Sequence, residues 1–181
     1  MQGALIFLLK TLMDLYLLTF LLRFVMQLAR VSHYNPFAQL IYKLTSPLVI
    51  PARRVLPSIG GLDTPTLVIM IVLEILATWL LFRLAGVSLP IGPLLLYALL
   101  RLIALALWFY TGALVIYVLL SWFGDRGRSP MGVLLGALVE PVLRPARRLL
   151  PPIGGVDLSP LIVIVLLQAA MVALPLPAAL R

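Results

Sequence analysis

Four stretches of this chain are apolar without alternation, and the segments between them carry helical or turn-forming patterns. The apolar stretches run from about Leu5 to Leu28, Pro65 to Leu84, Leu94 to Leu120 and Pro160 to Leu176. Each is close to the roughly 20 apolar residues that a helix needs to cross a hydrocarbon layer. Runs of that length are helices, because strands rarely exceed about eight residues. After the first run, Phe37, Leu40, Ile41, Leu44 and Leu48 recur at helical spacing, with Gln39, Lys43 and Ser46 on other faces. That spacing predicts a short amphipathic helix lying on the membrane surface. Met131, Leu134, Leu135 and Leu138 repeat the stripe later in the chain, with a weaker polar face.

The resemblance between the two halves is literal. Residues 47–63 read PLVIPARRVLPSIGGLD and residues 141–157 read PVLRPARRLLPPIGGVD, with 11 of 17 positions identical at a constant offset of 94. An apolar run stands on either side of each copy. A period of this kind fixes the architecture before any local reading does. The expected fold is an all-α membrane protein with four transmembrane helices, arranged as two tandem helix–amphipathic link–helix repeats, residues 1–86 and 87–181. In each link, Pro47 and Pro51 (Pro141 and Pro145) remove backbone donors and are expected to break the surface helix into short pieces. A helical turn starting at Pro51 carries Arg53 and Arg54, and its counterpart carries Arg147 and Arg148. Gly60-Gly61 and Gly154-Gly155 permit the positive φ of a sharp turn back to the membrane. Asp63 and Asp157 stand just before the next apolar runs, where a carboxylate can accept orphan amides and suits the helix dipole.

Composition supports the membrane assignment. Hydrophobic residues make up 63% of the chain and charged residues 11%, against about 45–50% and about 25% in soluble domains. The first apolar run is longer than a signal h-region of about 7–15 residues and no small-residue cleavage site follows, so no cleavable signal is expected. The charge of +8 points to anionic lipid headgroups or an acidic partner, not to nucleic acid. Both links are basic, with Arg30, Lys43, Arg53 and Arg54 in one and Arg126, Arg128, Arg144, Arg147 and Arg148 in the other, while the hairpin from Gly86 to Gly92 has no charge. The positive-inside rule puts the links in the cytoplasm and both termini outside. The two repeats then insert with the same, parallel orientation, related by an axis along the membrane normal.

A few charges fall at span depth: Lys10, Asp14, Arg23, Glu74, Arg83 and Arg101. Charge in lipid costs roughly 2.5–3.5 kcal/mol per residue on insertion scales, so such groups pair or line a polar path. Lys10 is one helical turn from Asp14, Arg101 and Arg23 are further partners for Asp14 and Glu74, and Arg83 can snorkel to the outer interface. The repeats differ here. Asp14, Glu74, Lys10 and Arg23 correspond to Trp108, Gln168, Ala104 and Tyr117. The mismatch favours interhelical salt bridges over a symmetric conduction path.

Chemistry is sparse. There is no cysteine and one histidine, His33, and there are six carboxylates. No zinc, phosphate-loop or nucleophile motif occurs, so no catalytic residue, cofactor or metal is expected.

NPFAQLIYKLTSPLVIPARRVLPSIGGLD and its second copy resemble the signature of the YggT family, small bacterial inner-membrane proteins with relatives in cyanobacteria and chloroplasts. Asn35-Pro36-Phe37, Pro51, Arg53, Arg54, Pro57, Gly60, Gly61 and Asp63 fit the pattern, and the second copy departs from it at Ser129-Pro130-Met131. The resemblance implies the two-span unit derived above and an association with cell division, membrane-complex assembly or osmotic and potassium tolerance. It implies no enzyme. The functional expectation is a non-catalytic scaffold or assembly factor of the inner membrane. Arg53, Arg54, Arg144, Arg147, Arg148 and Lys43 would dock the anionic leaflet, a membrane-protein partner or a second copy. The alternative is a small ion transporter or channel component built on Lys10, Asp14, Glu74 and Arg101.

Overall fold

The computed structural model describes residues 2–122, 129–149 and 157–177. Among the described residues the regular structure is six helices: α1 (Gln2–Leu28), α2 (Pro36–Arg53), α3 (Thr64–Leu84), α4 (Ile91–Trp122), α5 (Pro130–Leu149) and α6 (Ser159–Ala173). Among the described residues no strand forms, and an isolated bridge joins Ile59 and Leu62 in the turn after α2. The stretches Gly3–Leu28, Thr64–Leu84 and Ile91–Trp122 are long and apolar enough to cross a membrane. The fourth apolar run forms a helix of only 15 residues. It stops because Pro175 and Pro177 follow, and Leu174 accordingly adopts an extended backbone with ψ of 128°.

The prolines do not break the link helices. Helix α2 passes through Pro47 and Pro51, and α5 through Pro141 and Pro145. The prolines of each pair are four residues apart and all four are exposed. Their missing donors and ring clashes therefore fall on one outer face, where the freed carbonyls can be solvated, and proline there bends a helix without ending it.

Helix starts and stops follow local chemistry. Asn35 Oδ1 accepts the Phe37 amide at 3.0 Å to cap α2, and Ser129 Oγ accepts the Gly132 amide at 3.1 Å to cap α5. These two residues are counterparts in the repeat, so the departure at Ser129 preserves the cap. Gly60 and Gly61 take φ of 61° and 80° in the turn before α3. Gly154 and Gly155 lie outside the described residues.

The chain divides into two compact units. Unit one comprises Met1–Phe24, Ile41–Leu105 and Pro175–Arg181, and unit two comprises Val25–Leu40 and Ala106–Leu174. Unit one buries Leu17, Phe20, Val49, Met70, Ala77 and Leu81, together with Arg23, Thr45, Asp63, Thr66, Glu74 and Arg101. Unit two buries Phe109, Leu114, Leu134, Leu138, Val139 and Leu143. Large apolar side chains such as Phe7, Leu76, Trp108 and Trp122 are exposed on the apolar helices, an exterior suited to lipid contact and not to water.

Candidate functional site

The repeated motif builds the same ion pair twice. In unit one, Arg53 Nη2 donates to Asp63 Oδ2 at 2.8 Å. In unit two, Arg147 Nε donates to Asp157 Oδ2 at 3.0 Å. Both pairs span ten residues, and both tie the end of a link helix to the start of the next apolar helix. Asp63 occupies the N-cap position of α3, yet its carboxylate accepts no capping amide. It accepts from the Thr66 hydroxyl at 2.6 Å and from Arg53, and it lies 3.5 Å from Arg23 Nε. Its role is therefore counter-ion rather than cap. Asp157 does both, taking the Ser159 amide at 3.0 Å on its other oxygen.

The third partner differs between copies. Arg23, near the end of α1, is almost fully buried and donates to the Thr45 hydroxyl at 2.7 Å, with its guanidinium 5.0 Å from the centre of the Tyr42 ring. Sequence alone offered Arg23 as a partner for the span carboxylates. Its place near the end of α1 sends it to Asp63 instead. The counterpart of Arg23 is Tyr117, whose hydroxyl is hydrogen-bonded to Arg147. Gly136 stands where Tyr42 would be, and its missing side chain leaves room for the Tyr117 ring, 3.7 Å from where a Cβ would lie. Arg147 Nη1 also donates to Glu140 at 2.8 Å, and Arg144 approaches the same carboxylate at 3.6 Å. Ser46, Thr45, Tyr42, Glu140 and Tyr117 were not picked out as site residues from sequence. The constant offset of 94 was the signal that could have found them.

Electrostatics follow from these contacts. Burial alone would raise the Asp63 carboxyl, but the Thr66 hydroxyl, Arg53 and Arg23 together hold it below the ordinary value of 3.8. Asp157 is likewise held low against the effect of burial, by Ser159 and Arg147. Burial pushes the Tyr42 hydroxyl up.

Of each arginine pair, the first member holds the aspartate, although the Arg53 side chain is itself half exposed. Arg54 and Arg148 are exposed, as are Lys43 and Arg144.

A second cluster lies within unit one. Arg101 on α4 donates to Asp14 on α1 at 2.6 Å and pairs with Glu74 on α3 at 2.7 Å. Glu74 is 1% exposed and also accepts from the Thr78 hydroxyl at 3.0 Å. The charge of Lys10 acts on Asp14 as well. Two cations thus face two carboxylates. Near the other end of α3, Arg83 donates to Ser88 at 3.1 Å and lies over the Trp79 ring. Among the described residues no group of three or more metal-ligating side chains forms.

The family model CCB3/YggT matches residues 2–84 and 96–177. The chain belongs to the CCB3/YggT family. It is 39% identical over 166 residues to "Uncharacterized protein YggT" of Escherichia coli (strain K12), covering 92% of this chain and 86% of that protein. It is 41% identical over 172 residues to an uncharacterized protein of Vibrio alginolyticus, covering 93% and 92%. A Pseudomonas aeruginosa protein is 39% identical over 163 residues. No solved structure matches the chain. In this CCB3/YggT chain both matched segments contain a complete arginine–aspartate pair, Arg53 with Asp63 and Arg147 with Asp157.

Proposed function

We propose that this chain is a non-catalytic organising protein of the bacterial inner membrane, with four spans in two parallel repeats and both basic links on the cytoplasmic side. The observation that carries the reading is the division of labour within each arginine pair. Arg53 and Arg147 pair with the aspartates that lead into α3 and α6, whereas Arg54 and Arg148 stay exposed beside them. Tying one cation to an aspartate beside an exposed second cation gives a fastened link with a presented positive charge, which is what docking against an anionic leaflet or an acidic partner requires. Lys43 and Arg144 extend the presented charge along α2 and α5. The fourth span is α6, whose fifteen helical residues reach about 22 Å against the ~30 Å hydrocarbon thickness, a mismatch that local thinning of the bilayer accommodates.

Purification of the tagged protein in mild detergent, with mass spectrometry of what stays bound, tests this beside a variant with Arg53, Arg54, Arg147 and Arg148 changed to Gln. A stoichiometric partner present with the wild type and lost from the variant is the expected result. An identical homo-oligomer in both would refute it.

A second reading has one observation in its favour: three helices converge on Arg101, with Glu74 wholly buried between them. Such a cluster is where a small ion transporter would hold its ion or proton. Against it stand the balance of Lys10 and Arg101 with Asp14 and Glu74, and the second copy's lack of matching residues. Ion flux in vesicles from wild type and Glu74→Gln separates the two readings. Flux that vanishes in the variant at unchanged expression would favour transport.

A further inference from the structure

The two arginine–aspartate sites have the same frame but different charge. Site one holds two guanidinium groups, Arg23 and Arg53, against one carboxylate, Asp63, and its neutral contacts include the hydroxyls of Thr45, Ser46 and Thr66 and the Tyr42 ring. Site two holds Arg147 and Arg144 against Glu140 and Asp157. Among the described residues, site one therefore carries one excess positive charge and site two is balanced. The difference comes from counterpart positions: Ser46, Arg23 and Ile50 in the first copy are Glu140, Tyr117 and Arg144 in the second.

The excess is accessible. The Arg23 and Asp63 side chains are 5% and 3% exposed, but that of Arg53 is 50% exposed. Arg53 uses Nη2 on Asp63, and a guanidinium has five N–H donors in a fork that fits a phosphate. Arg54 is exposed next to it. The apolar surroundings differ in the same sense. Ile50, three residues before Arg53 and so on its side of the helix, is exposed, and its counterpart is the charged Arg144. Leu44 is 47% exposed, while its counterpart Leu138 is 1% exposed. The unbalanced cation and the exposed Leu44 and Ile50 occur together in the first copy, whereas their counterparts in the second are the buried Leu138 and the charged Arg144.

We infer that site one, built on Arg23, Arg53 and Asp63, binds the phosphate of an anionic lipid headgroup, and that site two, built on Arg147, Asp157 and Glu140, does not. The lipid phosphate neutralises the excess charge at Arg53, and its acyl chains lie against Ile50 and Leu44. This deepens the docking function proposed above and rests on it, since it names the ligand and confines it to one of the two links.

The test uses the full-length protein reconstituted in phosphatidylethanolamine with a minor share of phosphatidylglycerol, then extracted in mild detergent for native mass spectrometry. Wild type retains one phosphatidylglycerol. Ser46→Glu supplies site one with the carboxylate that site two already has, and retention falls about fivefold, the change expected for one charge near an anionic lipid. Ser46→Gln, of the same size without the charge, retains the lipid and shows that the loss is not misfolding. Glu140→Ser leaves site two with excess charge and gains a second phosphatidylglycerol.

Retention unchanged in Ser46→Glu, or equal retention of phosphatidylethanolamine, would overturn the inference. So would displacement of the lipid by inorganic phosphate, which would make the site one for a free anion. If Ser46→Glu keeps its lipid while the four-arginine variant still loses a protein partner, only this inference fails. If the lipid behaves as expected and no partner depends on the arginines, the organising role fails and the lipid site remains.

Discussion

Arg53 Nη2 lies 2.8 Å from Asp63 Oδ2, closing a ten-residue segment whose turn is made by Gly60 and Gly61. The same closure recurs 94 positions later between Arg147 and Asp157 at 3.0 Å. A short, proline-bearing helix is thereby fastened to the apolar helix that follows it. The fastening uses one arginine of each pair and releases the other.

The two closures differ in burial, so they differ in what their loss costs. Asp63→Asn leaves Arg23 buried opposite a neutral group, which is expected to cost about 3–5 kcal/mol. The side chains of Asp157 and Arg147 are 27% and 33% exposed, so Asp157→Asn costs about 1 kcal/mol. Thermal unfolding in detergent should show a large fall in midpoint for the first variant and a small one for the second. Equal falls would contradict the burial argument.

Acid should weaken both closures. Because Asp63 and Asp157 are held below 3.8 in the folded chain, their contribution to stability is complete above the unfolded carboxylate value and is lost as pH falls through the lower folded values. The unfolding midpoint should be insensitive to these groups above about pH 5 and decline below it. In Asp157→Asn the acid decline should be shallower than in wild type, read as midpoint against pH.

The cluster on Arg101 predicts strong non-additivity. Arg101→Leu strands Asp14 and Glu74 against each other and should cost about 3–5 kcal/mol. Replacing all three by apolar residues of similar volume removes the desolvated charges together and should cost far less, as buried ion pairs often can be exchanged for packing. Comparing melting of the single and triple variants checks this. A triple variant less stable than Arg101→Leu would contradict it.

Gly61 has a backbone reason to be glycine. At φ of 80° an added Cβ meets no atom within 4 Å, so Gly61→Ala costs only the left-handed backbone, about 1–2 kcal/mol. The fall in unfolding midpoint should be of that size, with no change in what the protein binds.

Much of this was legible in the sequence, though unevenly. The apolar runs mark α1, α3 and α4 because a long helix in lipid needs only length and apolarity, both of which are local. The end of α6 was harder to read: Leu176 continues the apolar run, but Pro175 ends the helix first. The prolines of α2 and α5 read as breaks because the period of four that puts them all on the exposed face matters only once the helix has a buried side. Asp14, Glu74 and Arg101 were identifiable as charges in need of partners. That Arg101 takes both carboxylates, one of them 87 residues away, depends on helix packing that no spacing encodes. Arg23 has the same history, since its partner depends on how deeply the end of α1 is buried beside α2.

In the proposed organising role, Arg54 and Arg148 dock the partner protein while Arg53 and Arg147 fasten the links to Asp63 and Asp157. Its most direct test is the Arg54→Gln, Arg148→Gln double variant, measured for both unfolding midpoint and bound material. Surface changes of this kind alter stability by no more than about 0.5 kcal/mol. The expected result is a midpoint equal to wild type together with loss of the co-purifying protein. A variant that keeps its bound protein, or that unfolds as readily as Arg53→Gln, Arg147→Gln, would contradict it.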